Sequence, residues 1–341
     1  MNAQVDAEML GDVWVRPLLE GRNYPLLICP RRGDVDLAGW AREQRAAIDR
    51  LICETGALLF RGFQMPRLEA FEAVVDAVSP SDWVSYREAA TPRSHVSGHL
   101  FTATEYPPEL RIYVHNENSH VTTWPLYLFF HCRTPAREGG HTPLADCRGV
   151  LQRLPPNVVG SFLERGWLYR RNFSASSSVP WQKTFGTNSR EVVEQYCRTN
   201  HMTAEWTKSG LTVRYRRWSA LRHPRTQDMV WFNHGTFFNR HTLEPAVRGM
   251  FDGVAEEALP YNSYYGDGSS VEPETMRLLD EAYAAETVSF PWMRGDVLMV
   301  DNMRLAHGRL PYRGEREVVV AMKWKVSCYD IAGRDTYAAP E

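Results

Sequence analysis

Arg111-Ile112-Tyr113-Val114-His115-Asn116-Glu117 carries a β-branched and aromatic run and closes on a histidine and a carboxylate two positions apart. Strand side chains alternate in direction, so this spacing predicts that His115 and Glu117 share one side. On the inside of a barrel they would supply two ligands of a 2-His-1-carboxylate metal site, which keeps three coordination positions open. His-x-Glu is weak by itself in a chain with eleven histidines, so a remote partner is needed. The expected one is His307, in Asp301-Asn302-Met303-Arg304-Leu305-Ala306-His307-Gly308-Arg309, which follows the apolar run Val297–Val300.

Two further features raise the weight of this pattern. Arg316 lies nine residues after His307 and enters an apolar run, where an unpaired guanidinium would be costly. A carboxylate must reach it, either as a bidentate anionic cosubstrate or as an internal acidic side chain. Thr142, in Gly139-Gly140-His141-Thr142-Pro143, follows a turn that allows close backbone approach and offers a hydroxyl to the same anion.

Outward from these motifs, apolar residues from Leu37 to Thr55 recur at helical spacing and end at Gly56, which predicts one helix running into a buried strand at Ala57-Leu58-Leu59-Phe60. Residues 80–108, around Arg93, read as a long ordered loop. Leu126–Phe130, Val297–Val300 and Val318–Val326 read as strands. Ser189 is placed to cap a helix with Val192, Val193, Tyr196 and Cys197 on one face, and Pro273 to open another containing Met276, Leu279 and Tyr283. The expectation is an α+β fold: a double-stranded β-helix, or cupin-like jelly roll, flanked by helices. One domain spans 1–341, with an N-terminal helix and strand in 1–63, a helical insertion at about 160–290, and barrel strands at about 110–145 and 290–330.

Composition narrows the function. A formal charge of −2 gives no concentrated positive field for nucleic acid. The doublets Arg31-Arg32, Arg170-Arg171 and Arg216-Arg217 are expected on solvated faces. Six dispersed cysteines without Cys-x-x-Cys argue against a zinc knuckle or disulfide framework and fit a reducing cytoplasm. No segment reads as a signal peptide or membrane span.

Taken jointly, His115-Asn-Glu117, Gly139-Gly-His-Thr-Pro143, His223-Pro224, Trp231-Phe-Asn233, Asp301-Asn302, His307-Gly-Arg309 and Arg316 resemble the TauD/TfdA family, in particular its branch of SyrP-like, syringomycin-type aspartate hydroxylases. The resemblance implies Fe(II) held by His115, Glu117 and His307, 2-oxoglutarate placed by Thr142 and Arg316, and O2 as co-reactant. It also implies oxidation of an amino-acid-like small molecule, free or tethered to a carrier protein, in specialised-metabolite biosynthesis. Hydroxylation is expected, with desaturation or cyclisation by the same chemistry as the alternative. Glu117 disfavours halogenation, because halide takes the carboxylate's position in the related halogenases.

The chain departs from the family pattern at His141, where an acid is usual, at Arg304, where an aliphatic residue is usual, and at His120, where an aromatic residue is frequent. Arg111, sharing parity with His115, and Arg93 are the candidates for a substrate carboxylate, unless neighbouring acids pair with them.

Two other classes compete: a zinc hydrolase built on the same ligands, and a non-catalytic jelly-roll binding protein. Metal dependence separates the first from an oxygenase. Zinc is expected to inhibit turnover that iron(II) supports, and activation by zinc would favour the hydrolase.

Overall fold

In the computed structural model, which describes residues 8–84, 94–104, 106–174, 180–208, 210–249, 251, 253–254 and 259–331, the apolar runs lie at the centre of a large sheet. The chain begins with β1 (Glu8–Leu10), β2 (Val13–Pro17), β3 (Leu26–Pro30), α1 (Leu37–Glu43), α2 (Arg45–Thr55), β4 (Ala57–Phe60) and α3 (Leu68–Val78). A hairpin, β5 (His95–Ser97) and β6 (Leu100–Thr102), precedes β7 (Ile112–His115), β8 (Thr123–Thr134), β9 (Glu138–Gly139) and β10 (Leu144–Asp146). The middle holds α4 (Cys147–Arg153), α5 (Pro156–Arg165), β11 (Trp167–Ser174), α6 (Trp181–Phe185), α7 (Arg190–Thr199), β12 (Met202–Thr207), β13 (Gly210–Arg217), β14 (Leu221–Arg222) and β15 (Met229–Val230). There follow α8 (Gly235–Phe238), α9 (Pro245–Gly249), β16 (Tyr261–Tyr265) and α10 (Pro273–Glu286). The last strands are β17 (Thr287–Val288), β18 (Val297–Asp301), β19 (Leu305–Arg309), β20 (Tyr312–Arg313) and β21 (Glu317–Ser327).

A nine-stranded sheet runs β1-β2-β3-β4-β18-β8-β21-β6-β5, and a four-stranded one runs β17-β10-β19-β7. Together they are the two walls of the expected jelly roll. Alternation divides the core. Leu128, Phe130, Leu298, Val300, Val318 and Val320 join Leu144 and Leu305 of the small sheet in one buried cluster. Their neighbours Phe129, Val297, Met299, Val319 and Ala321 pack in a second cluster with Ile48, Ile52, Phe71 and Val75 of the N-terminal helices. These strands therefore read as continuous apolar runs, because both faces are covered.

Several elements differ from the sequence reading. The expected helix over 37–55 is two helices, since Gln44 leaves helical geometry (φ −98°, ψ 17°) while Gly56 ends the second in the left-handed region (φ 80°). Ser189 does cap α7, its Oγ accepting from the amide of Val192, but the buried face is Val193 and Cys197, and Val192 is exposed. The 80–108 stretch contains the β5–β6 hairpin. The middle of the chain is not helical alone: β12-β13-β11-β16 form a separate antiparallel sheet. On β11 the alternation buries Tyr169, Arg171 and Phe173, so one arginine of the Arg170-Arg171 doublet turns inward instead of lying on a solvated face.

The correction with most consequence concerns β7. His307 pairs with His115, but Arg309 pairs with Ile112, so three steps on β7 oppose two on β19. This bulge resets the alternation. Ile112 lines the same cleft as His115, and Arg111, expected to point inward, stays near the surface and pairs with Glu244 at 2.7 Å. Gly308 is what admits the bulge: a Cβ there would stand 2.5 Å from the Ile112 carbonyl oxygen. Gly308→Ala is expected to destabilise the fold by about 1–3 kcal/mol, because the obstruction is backbone. Urea unfolding measures this, and an unchanged midpoint would refute the steric account.

Candidate metal centre

The direct pairing of His115 with His307 brings two imidazoles from segments far apart in the chain onto one side of the small sheet. With Glu117 they form a buried group whose ligand atoms all lie within 4.8 Å of one another. His115 Nδ1 is 2.9 Å from the Tyr113 carbonyl. A carbonyl only accepts, so Nδ1 carries the hydrogen and Nε2 keeps its lone pair for a metal.

Glu117 is not held by strand alternation, because β7 ends at His115. It sits in a turn whose next residue, Asn118, has φ 57°. Asn302 fixes it. The Asn302 Oδ1 accepts from the Glu117 amide at 2.7 Å, and Nδ2 donates to the carbonyls of Glu117 and Pro125, each at 2.9 Å. The Asn302 carbonyl accepts from Asn116 Nδ2 at 2.6 Å, and its amide donates to Leu126. The turn before β19 is shaped by Asp301, whose Oδ1 accepts from the amides of Met303 and Arg304. His223 accepts two amides on Nδ1 and donates from Nε2 to Asp301 at 2.9 Å.

Beside the triad is a small open cleft lined by His115, His307, Thr142, Arg309 and Arg316, with Ile112, Phe130 and Val318 as apolar wall. The Trp292 indole N–H donates to Thr142 Oγ1 at 3.1 Å, which leaves the hydroxyl hydrogen available to an anion. Arg316 is half-buried and donates from Nε to the Gly140 carbonyl at 3.0 Å. No acidic side chain among the described residues pairs with it. Burial, with Arg309 nearby, pushes its guanidinium down to about 10, so it stays charged at neutral pH. Gly140 (φ 68°) makes room for it, since a Cβ there would come within 3.0 Å of Arg316 Cδ.

Sequence reasoning missed three residues of this site. Asn302 and Arg309 stand in the quoted motifs but received no role. Arg309 is buried, and its guanidinium donates to the carbonyls of Tyr106, Pro107 and Leu110 at 2.5–2.8 Å, binding that segment to β19. Trp292 gave no signal beyond an apolar neighbourhood. Of the remaining candidates, Arg93 lies outside the described residues. Arg304 faces away from the cleft and donates to the Cys53 carbonyl at 2.7 Å, near the end of α2. Thr142, not His141, turns into the cleft. Trp231 and Phe232 are core, whereas His234 lies against His115, ring centroids 5.4 Å apart. Burial drives His120 and His234 well below the ordinary histidine range.

Two imidazoles and one carboxylate with an adjoining open cleft suit a non-haem iron(II) centre, and a half-buried cation without an acidic partner among the described residues suits a dianionic cosubstrate.

The family model of "Taurine catabolism dioxygenase TauD, TfdA family" matches residues 15–322. The chain is 33% identical over 310 residues to the dapdiamide synthesis protein DdaC of Enterobacter agglomerans, covering 90% of this chain and 93% of that protein. It is 30% identical over 327 residues to a clavaminate synthase-like protein of Arabidopsis thaliana, covering 89% and 94%. Among solved structures, PvcB from Pseudomonas aeruginosa superposes with a TM-score of 0.57 at 16% identity over 95% and 94% of the two chains, a likeness of fold.

The clasp by Asn302 predicts that Asn302→Ala weakens metal binding about 10–100-fold while the far-ultraviolet circular dichroism stays native. Titration with iron(II) under nitrogen measures it. Unaltered affinity would show that the Glu117 turn holds its shape without the amide.

Proposed function

Because the chain belongs to the TauD/TfdA family and is an iron(II)- and 2-oxoglutarate-dependent oxygenase, we propose that it hydroxylates an amino-acid-like substrate, free or presented on a carrier protein, in specialised-metabolite biosynthesis. The observation that carries the site assignment is the convergence of His115, Glu117 and His307 beside an Arg316 that no acidic side chain neutralises among the described residues. The dapdiamide synthesis protein supports the amino-acid-related reading. PvcB, described as "an Fe, alpha-ketoglutarate dependent oxygenase from an isonitrile synthetic pathway", is compatible with it.

In this reading His115, Glu117 and His307 hold iron(II). Arg316 grips one carboxylate of 2-oxoglutarate and Thr142 donates its hydroxyl hydrogen to the same group. Bound together, iron and 2-oxoglutarate supply the oxidising power that turns dioxygen on an unactivated C–H bond, releasing succinate and carbon dioxide. The protein's own residues do the positioning. The carbonyl of Tyr113 fixes the His115 tautomer, Trp292 fixes the Thr142 rotamer, and Phe130 and Val318 keep one side of the cleft apolar, which strengthens the Arg316 attraction.

Anaerobic addition of iron(II) and 2-oxoglutarate is expected to give a weak visible absorption that His115→Ala or His307→Ala abolishes. Arg316→Ala should raise the 2-oxoglutarate concentration needed by about ten-fold or more, since a charge-assisted pair contributes roughly 1.5–3 kcal/mol, and should leave the iron requirement little changed. Arg316→Lys restores only part, because an ammonium lacks the planar fork. Equal loss of both affinities would point to a folding role. Succinate release screened against free and thioester-linked amino acids, with a mass gain of one oxygen in the product, tests the substrate class; turnover confined to uncharged compounds without an amino group would refute it.

A further inference from the structure

The rings of His115, His234 and His120 follow one another into the interior. His115 and His234 centroids are 5.4 Å apart, and His234 and His120 are 4.8 Å apart. Both are almost fully buried, at 2% and 1% exposure. Among the described residues neither nitrogen of His120 has a hydrogen-bond partner, and neither does His234 Nε2. Leaving such groups unpaired costs about 1–3 kcal/mol each, and native interiors rarely tolerate it without an occupant.

The chemistry of that occupant can be read from the bonds that are made. Ser119 Oγ is 2.9 Å from the Asn116 carbonyl, which can only accept, so the single hydroxyl hydrogen goes there. The same Oγ is 3.0 Å from His234 Nδ1 and must accept from it. His234 is therefore the Nδ1–H tautomer, and its Nε2 is a bare acceptor that requires a hydrogen from elsewhere. His120, as a neutral ring, offers one donor and one acceptor. Arg171, turned inward from β11, completes the surround. The Phe238 ring contacts all three, with centroids 4.6 Å from His234 and 5.2 Å from His120 and the guanidinium carbon 5.8 Å away.

We propose that His234 and His120 are the specificity-determining residues for the head group of the substrate, the amino N–H bonding to His234 Nε2 and a carboxyl or amide oxygen accepting from His120, with Arg171 biasing that end toward oxygen. This rests on the amino-acid-like substrate proposed above. It locates substrate recognition between the segment joining β7 to β8, which carries His120, and the residues at the start of α8 and on β11, whereas Arg111 pairs with Glu244.

Two measurements test it. In protein labelled with 15N at the histidine rings, the His234 signals, assigned through His234→Gln, should show a protonated Nδ1 and an unprotonated Nε2. A proton on Nε2 overturns the proposal without any substrate. The second uses a panel of L-α-amino acids and their carboxamides in the succinate-release assay. For the compounds the wild type turns over, His120→Phe and His234→Phe should raise substrate KM at least about ten-fold, with a smaller change in kcat and an unchanged 2-oxoglutarate requirement. His234→Gln, whose amide oxygen can accept the same hydrogen, should recover part of the loss. Amino-acid turnover with unchanged KM in both phenylalanine variants overturns this site and leaves the proposed function standing. Absence of turnover with every α-amino compound overturns both. Thermal denaturation of each variant separates misfolding from loss of recognition, and for any variant that fails to fold the tautomer measurement on the wild type decides.

Discussion

The amide of Asn302 clasps both backbone groups of Glu117, and the rest of the metal centre depends on that grip. Each polar group of Asn302 is engaged, joining the 116–117 turn to the start of β8 and fixing both relative to β19. In a buried position this is a satisfied network, so it rigidifies instead of destabilising. It couples the two ends of the triad: the residue that opens the turn into the His307 strand also orients the carboxylate after the His115 strand. Asp301 and His223 add a second layer, since the Asp301 carboxylate shapes the 301–304 turn while its other oxygen is held by the imidazole.

A different constraint governs the cosubstrate side. Arg316 is half-buried against Gly140, next to Arg309, with the Tyr312 ring centroid 5.7 Å from one guanidinium and 5.0 Å from the other. Two neighbouring cations in a partly desolvated cleft raise the cost of leaving Arg316 without an anion, which makes the cleft selective for negative charge before any specific contact forms. Arg309 is stabilised by backbone carbonyls, so its charge is solvated by dipoles and it serves as a structural cation. Arg316 spends only Nε on a carbonyl, and the geometry keeps its fork for a ligand.

The inserted sheet does what the jelly roll cannot. Barrel walls supply the triad and the cosubstrate cleft, both of which are shared chemistry. The start of α8 brings His234 and Phe237 against His115, and β11 brings Arg171 against Phe238 next to them. These polar groups come from segments that in sequence look like core or like a solvated basic doublet.

Much of this was legible from the residues. The His-x-Glu pair, the distal histidine, Thr142 and Arg316 carry their chemistry in type and spacing, and the apolar runs at 126–130, 297–300 and 318–323 are strands of a doubly covered sheet that buries each of these positions. Sequence also fixed the end of the second helix at Gly56 and the opening of α7 at Ser189, since caps are local. Local pattern fails where a decision depends on a neighbour. By parity with His115, Arg111 would point inward, but the bulge opposite Gly308 shifts the alternation by one residue, and pairing between strands nearly two hundred residues apart is invisible to periodicity. The same holds for Trp292 on Thr142, Asn302 on Glu117 and His120 beside His234: a side chain's type announces what it can bond to, and only the folded chain decides what it meets.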